Sequence, residues 1–293
     1  MLGQTLMKRF GRRHGVTGIS RSGKNGLTPG ELSDAAQVRA LFDKTPYDLV
    51  IHSAALSDVD GCERDPAQAY ASNALSTKYL AENCRARRVP LIYVSTDYVF
   101  DGNKRMPYVE TDPAFPLNIY GMTKLAGEFF AHSVAPVGAI VRSSWLFGAE
   151  NPVNFVNWAI RTLRERKAIS VLDDQQDSPT YVEDLAEAIE NIAADLADKA
   201  RRSPDKSVRE LFQVCNRGVT TRHGMTLLLK DLLGLKDAAV SVTDRASIPR
   251  RLAVRPAYAA MSTAHYETTF GAALRPWQDS LGDFVKNKVL CAS

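Results

Sequence analysis

Short apolar runs alternate with helix-periodic stretches through the first half of this chain, and that alternation constrains its fold most. Leu2, Leu6 and Phe10 have the i, i+4, i+8 spacing of one helix face. The pattern predicts a short strand from Val16 to Ser20, a helix from Ser33 to Lys44 capped by Ser33, and a buried strand from Asp48 to Ala55. Asp65-Pro66 opens a long helix through about Arg87, with proline in the first turn, where its missing N–H has no helical partner to lose. A strand at Leu91–Val94, a helix carrying Tyr120 and a strand at Gly138–Arg142 follow. Parallel strands need crossovers, and helices supply them, so the expected fold is α/β: a doubly wound parallel, Rossmann-like sheet.

After Trp145 the rhythm loosens. Helices are expected at Asn154–Arg166, Val182–Ala197, Thr221–Leu233 and Trp277–Lys286, a strand at Leu211–Val214, and an exposed polar loop at Lys199–Lys206. This part predicts a smaller second lobe. A chain of 293 residues, 45% apolar and 24% charged, has the composition of a soluble globular protein that can bury a large core. Its net charge of +4 is spread thinly, which argues against a nucleic-acid partner. No apolar stretch approaches a membrane span. Cys62, Cys84, Cys215 and Cys291 lack metal-ligand spacing and fit free thiols in a reducing cytoplasm; no metal is expected.

The residues that carry chemistry are Thr96, in Ser95-Thr96-Asp97-Tyr98-Val99-Phe100, and the pair Tyr120 and Lys124, in Tyr120-Gly121-Met122-Thr123-Lys124. Tyr and Lys at i and i+4 share a helix face. Alone they also suit an amphipathic face with a snorkelling lysine. Here, however, the run Leu91-Ile92-Tyr93-Val94 ends at Ser95-Thr96, and reactive groups in open α/β sheets gather at such carboxyl ends of strands. Asn118 is placed to cap the helix and present Tyr120 in its first turn. The trio is what carbonyl reduction by a nicotinamide requires. A phenol donates the proton, an ammonium lowers the phenol's pKa, and a second hydroxyl holds the carbonyl oxygen.

These motifs, with Ala54-Ala55-Leu56-Ser57-Asp58-Val59-Asp60, Pro116 to Lys124, Trp145-Leu146-Phe147-Gly148, Ser178-Pro179-Thr180 and Arg255-Pro256, closely resemble the dTDP-4-dehydrorhamnose reductases of the extended short-chain dehydrogenase/reductase superfamily. The resemblance runs through most of the chain. It implies a cytoplasmic enzyme that reduces the 4-keto group of dTDP-4-dehydro-L-rhamnose to dTDP-L-rhamnose, working as a monomer or homodimer. It implies a dinucleotide-binding domain at 1–145, with 169–198 packing back on it, and a substrate-binding lobe at 146–168 and 199–293.

By the same resemblance, Thr96 orients the ketone, Tyr120 donates the proton, and Lys124 tunes Tyr120 and holds the nicotinamide ribose. Leu2, Gly3, Leu32, Ala54, Ala55 and Leu56 match the cofactor neighbourhood. Ser57, Val59 and Trp145 fall where the family contacts the sugar nucleotide, although Trp145 also suits a core aromatic. Arg255 either pairs with the substrate diphosphate or forms a surface salt bridge. Ser20-Arg21-Ser22 stands where an acidic residue would bind the ribose of NAD, so Arg21 and Ser22 favour NADP, with NAD as the alternative. Tyr98 stands where related dehydratases carry a glutamate, which favours direct reduction over elimination.

The departures matter too. Met1-Leu2-Gly3 begins inside the phosphate turn, with only the last of its three glycines, so an upstream start is expected, or else a short variant without cofactor binding. Asp177 replaces a usual glycine, in a loop where a left-handed backbone would suit it. Thr5 replaces an acidic residue that bridges some relatives through Mg2+. Two other functions share the pattern: reduction of a different 4-keto nucleotide sugar, and a non-catalytic partner like the regulatory subunit of methionine adenosyltransferase.

Overall fold

A computed structural model describes the chain except Asn25, 150–153, Pro204, 245–250 and 291–293, together with the side chain of Lys288. The elements run α1 (Leu2–Phe10), β1 (Ile19–Ser20), β2 (Thr28–Pro29), α2 (Ala35–Lys44), β3 (Val50–His52), α3 (Val59–Arg64), α4 (Pro66–Tyr70) and α5 (Ser76–Arg87). They continue with β4 (Leu91–Thr96), α6 (Ile119–Val134), β5 (Val137–Ser143), β6 (Leu146–Phe147), α7 (Phe155–Arg164), β7 (Ile169–Val171) and β8 (Thr180–Tyr181). The last are α8 (Val182–Arg202), β9 (Val208–Gln213), α9 (Arg222–Leu232), β10 (Val240–Val242), α10 (Ala264–Phe270) and α11 (Trp277–Phe284).

The main sheet has the order β3-β4-β5-β9 and every pair in it is parallel. Both faces are covered, as a parallel sheet requires. Leu2, Leu6 and Phe10 of α1 join α8 and Ile92, Val94 and Val141 on one face. Val38, Phe42, Leu80 and Cys84, from α2 and α5, meet Leu91, Tyr93 and Ile140 on the other. The sheet is therefore doubly wound.

Several local expectations shift. β1 spans only Ile19–Ser20 and pairs with β2 in a separate ribbon, while Val16 lies exposed. The cap of α2 is Asp34, whose carboxylate accepts from the N–H groups of Ala36 and Gln37; Ser33 instead donates to Glu31. β3 stops at His52, because residues Ser53 to Ser57 leave the ladder to line a cavity. The helix opened by Pro66 does run to Arg87, but it widens into a π-helical turn at Ala71–Leu75. α8 extends to Arg202, so the first part of the expected loop at 199–206 is helical.

Two segments sit elsewhere than their assigned lobes suggest. β9, expected with the second lobe, is the fourth strand of the main sheet, paired with β5 from Val208 to Gln213. β7, expected to return to the first domain, pairs with β10. Cys62, Cys84 and Cys215 are free and buried, and Cys291 lies outside the described residues.

Candidate active site

A cavity of about 710 Å³ opens over the carboxyl ends of β3, β4 and β5. Thr96, Tyr120 and Lys124 all line it. Thr96 ends β4, and its hydroxyl donates to Asp97 Oδ1 at 2.9 Å while accepting from the Tyr98 N–H at 3.2 Å. Tyr120 sits in the first turn of α6, which Asn118 caps by accepting from the Gly121 N–H at 2.8 Å. Asn118 also donates to the Val254 carbonyl at 2.7 Å, tying the helix start to the later part of the chain.

Gly121 brings this helix within reach of Thr96. A Cβ there would lie 2.1 Å from the Tyr98 carbonyl oxygen, so only glycine permits the approach. The Tyr120 hydroxyl is thereby brought to the Thr96 side of the cavity, and its ring packs edge-on against Tyr98. Burial raises the phenol's pKa well above its ordinary value, and the contact with Thr96 only partly offsets this. Tyr120 is simply neutral and holds its proton.

Lys124 is buried. Its ammonium donates to the Val94 carbonyl at 2.7 Å and lies 4.1 Å from the Tyr93 ring centroid. Desolvation lowers its pKa to about 7, against an opposing pull from Glu128 one turn later. Glu128 is itself held by Ser95 and by both prongs of Arg142, with bonds of 2.6 to 2.9 Å. Burial also lowers the pKa of His52 to about 3, helped by the charge of Lys124.

Leu2, Gly3, Arg21, Leu32 and Ala54 to Leu56, expected near the cofactor, line the cavity. Ser57, Val59 and Trp145 line it as well. Trp145 has a left-handed backbone, φ 44°, which a large residue adopts only under outside constraint. Its ring stacks on Phe155, with centroids 6.2 Å apart.

Ser22 and Arg255 do not line the cavity. Ser22 is exposed on the turn after β1. Arg255 makes a bidentate pair with Asp60, both bonds 2.8 Å, and also donates to the Ala253 carbonyl. Its fork is occupied, so Arg255 acts as an internal clamp, away from the position expected for a diphosphate contact. Arg222 does line the cavity, with its guanidinium 5.1 Å from the Trp145 ring and 4.8 Å from the Phe155 ring. Its Nε has no hydrogen-bond partner among the described residues.

Asn73 and Glu31 were not anticipated either. Asn73, in the π-helical turn, accepts from the Leu56 N–H and donates to the Leu56 carbonyl and Thr123, so it clamps the cavity wall to α6. A buried asparagine inside a helix pattern is the one sequence signal for it. Glu31 lines the cavity and pairs with Arg21 at 2.9 Å. Asp177 is not among the residues with positive φ. It exchanges backbone hydrogen bonds with Thr220, so its loop survives without a left-handed turn. Thr5 is buried, and no group of three or more candidate metal ligands occurs among the described residues.

With this geometry in place, the comparisons are specific. The family model for the RmlD substrate binding domain matches residues 1–290. The chain belongs to that family. It is 35% identical over 283 residues to a dTDP-4-dehydrorhamnose reductase of Streptomyces griseus, covering 96% of this chain and 88% of that one. It is 32% identical to a probable dTDP-4,6-dihydroxy-2-methyloxan-3-one 4-ketoreductase of Streptomyces antibioticus, covering 96% and 90%. Among solved structures it resembles dTDP-4-dehydrorhamnose reductase from Bacillus anthracis in complex with NADP, with a TM-score of 0.85, 27% identity, and coverage of 98% and 94%.

Proposed function

We propose that this RmlD-family chain is a dTDP-4-dehydrorhamnose reductase, which converts the 4-keto group of dTDP-4-dehydro-L-rhamnose to the alcohol of dTDP-L-rhamnose. The observation that carries the reading is the convergence of Thr96, Tyr120 and Lys124 on one cavity at the end of β4. The nicotinamide, when bound, supplies the hydride. Tyr120 supplies the proton at its phenolic oxygen, and burial keeps that proton in place until charge develops on the ketone oxygen. Thr96 holds the ketone oxygen beside Tyr120. Lys124 offers its ammonium to the nicotinamide ribose, and its lowered pKa rises again once a negatively charged ligand replaces lost solvation.

The residues fit the cofactor. Among the described residues Lys124 carries one hydrogen bond, to the Val94 carbonyl, and Arg21 stands at the cavity's edge with 63% of its side chain exposed. Arg21 favours NADP over NAD by meeting a 2'-phosphate, for which it must leave Glu31. Ser57, Val59 and Trp145 contact the sugar nucleotide, and Arg222 meets its diphosphate. The relative from Streptomyces antibioticus favours a second reading within the same chemistry, reduction of another dTDP-linked 4-keto sugar.

We assign residues 1–145 and β9 to the cofactor half and most of the later chain to the substrate half. The cytoplasm is the assigned compartment, and the protein works as a monomer or homodimer without nucleic acid. No helix of the described residues is long and apolar enough to cross a membrane.

The test is NADPH oxidation with the dTDP-4-keto-6-deoxy sugar. Tyr120→Phe should abolish turnover and leave NADPH affinity nearly intact. Normal turnover by this variant would remove Tyr120 as the acid.

A further inference from the structure

Tyr93 lies inside β4, on the face against which α6 packs, and the reduction chemistry gives it no part. It is fully buried, and the Lys124 ammonium lies 4.1 Å from the centroid of its ring. Two contacts fix the ring in place. Its hydroxyl donates to the carbonyls of Asn73 and Lys124, at 3.4 and 3.3 Å, and so joins the π-helical turn to α6. A Cβ on Gly127 would lie 2.2 Å from the same hydroxyl oxygen, so glycine lets α6 settle onto the ring.

An ammonium buried this deeply has lost its water, and it needs other partners to stay charged. Among the described residues Lys124 has one hydrogen bond, to the Val94 carbonyl at 2.7 Å. Glu128, one turn along α6, spends its carboxylate on Ser95 and on Arg142 of β5. The face of an aromatic ring carries negative charge density and attracts a cation, most strongly where water is excluded. The other titratable groups leave that face to Lys124. His52 of β3, with its ring centroid 5.6 Å from that of Tyr93, is kept neutral by burial, so no second cation competes. Burial also keeps the Tyr93 and Tyr120 phenols protonated, so neither adds a charge.

We propose that Tyr93 is a positioning residue for the reduction: the face of its ring, with the Val94 carbonyl, holds the Lys124 ammonium at the cavity wall, ready for the nicotinamide ribose. The link to the ribose rests on the reductase reading, whereas the hold on the ammonium is a property of the protein alone. The ring acts through its electron density, and the phenolic hydroxyl serves only to anchor it. A side chain of equal size with an electron-poor face would fill the same space and lose the cation.

Ring fluorination tests this, because it drains the face of charge density while keeping its shape. Position 93 is replaced by phenylalanine and then by mono-, tri- and pentafluorophenylalanine, so that the milder steps decide if the last one fails to fold. The Lys124 pKa is followed in cofactor-free protein through the side-chain carbon resonance of labelled lysine, assigned by its loss in Lys124→Met. Tyr93→Phe keeps the face and should leave this pKa near the wild-type value. Each fluorination step should lower it, by about one pKa unit in the pentafluoro protein, and NADPH dissociation constants at pH 8 should rise in parallel, about tenfold in all. A ring that only packs would make the fluorinated proteins behave like Tyr93→Phe. A Lys124 pKa unmoved by fluorination overturns the ring's hold on the ammonium, whatever the protein's activity. A lowered pKa with unchanged NADPH affinity overturns its role in the reduction.

Discussion

Arg222 and Arg255 divide a role that looked like one residue's from the chain alone. Arg255 spends its fork on Asp60, and that pairing holds the Asp60 carboxyl well below its usual pKa. Arg222 instead lines the cavity against two aromatic rings, and its Nε has no hydrogen-bond partner among the described residues. Arg222→Leu should raise KM for the dTDP-sugar by about a hundredfold, the cost of losing a charge-assisted contact of roughly 3 kcal/mol, with the melting temperature little changed. Arg255→Leu should do the reverse, costing about 2 kcal/mol in urea unfolding through the stranded Asp60, with KM nearly normal. Steady-state kinetics and denaturation of the two variants check this. Thr96, Tyr120 and Lys124 were legible because their chemistry and spacing are local. Arg222 was not, because nothing in Thr221-Arg222-His223 marks which cavity the residue will face.

At the scale of elements, the active geometry depends on how closely α6 approaches the turn after β4. Asn118 starts the helix, and Gly121 lets it touch the Tyr98 carbonyl. Gly121→Ala should therefore force α6 outward, costing about 3 kcal/mol in urea unfolding and lowering kcat at least tenfold as Tyr120 separates from Thr96. A variant with normal stability and rate would show that the approach is not required. The cap and helix were readable from Asn118 and the Tyr-x-x-x-Lys spacing, whereas the contact that demands glycine comes from another segment. The same holds for the helix opened by Pro66. Its start and end follow from proline and helical periodicity, but its π-helical turn exists because Asn73 bonds Leu56 and Thr123, both distant in sequence.

Across the whole molecule, the sheet's two covered faces place an ionisable side chain where water does not reach. His52, at the end of β3, is buried and hydrogen-bonded to Ser76. Its pKa falls to about 3 when folded, against an unperturbed 6.5. The unfolded chain therefore binds a proton that the folded protein refuses, and stability drops as pH falls below 6.5, levelling off only below about 3. Between pH 7 and pH 5 this group alone should cost about 2 kcal/mol of unfolding free energy, and His52→Gln should flatten that part of the curve. Denaturant unfolding across this range checks it.

The doubly wound architecture, the helix that bears Tyr120 and the strand that ends at Thr96 were determined by sequence alone, because periodicity and capping act over a few residues. The partner of β9, the loss of Arg255 to Asp60 and the arrival of Arg222 at the cavity were decided only by tertiary structure. Each of these joins segments far apart in the chain, and no local propensity encodes which distant charge or strand edge a residue will meet once the core has closed around it.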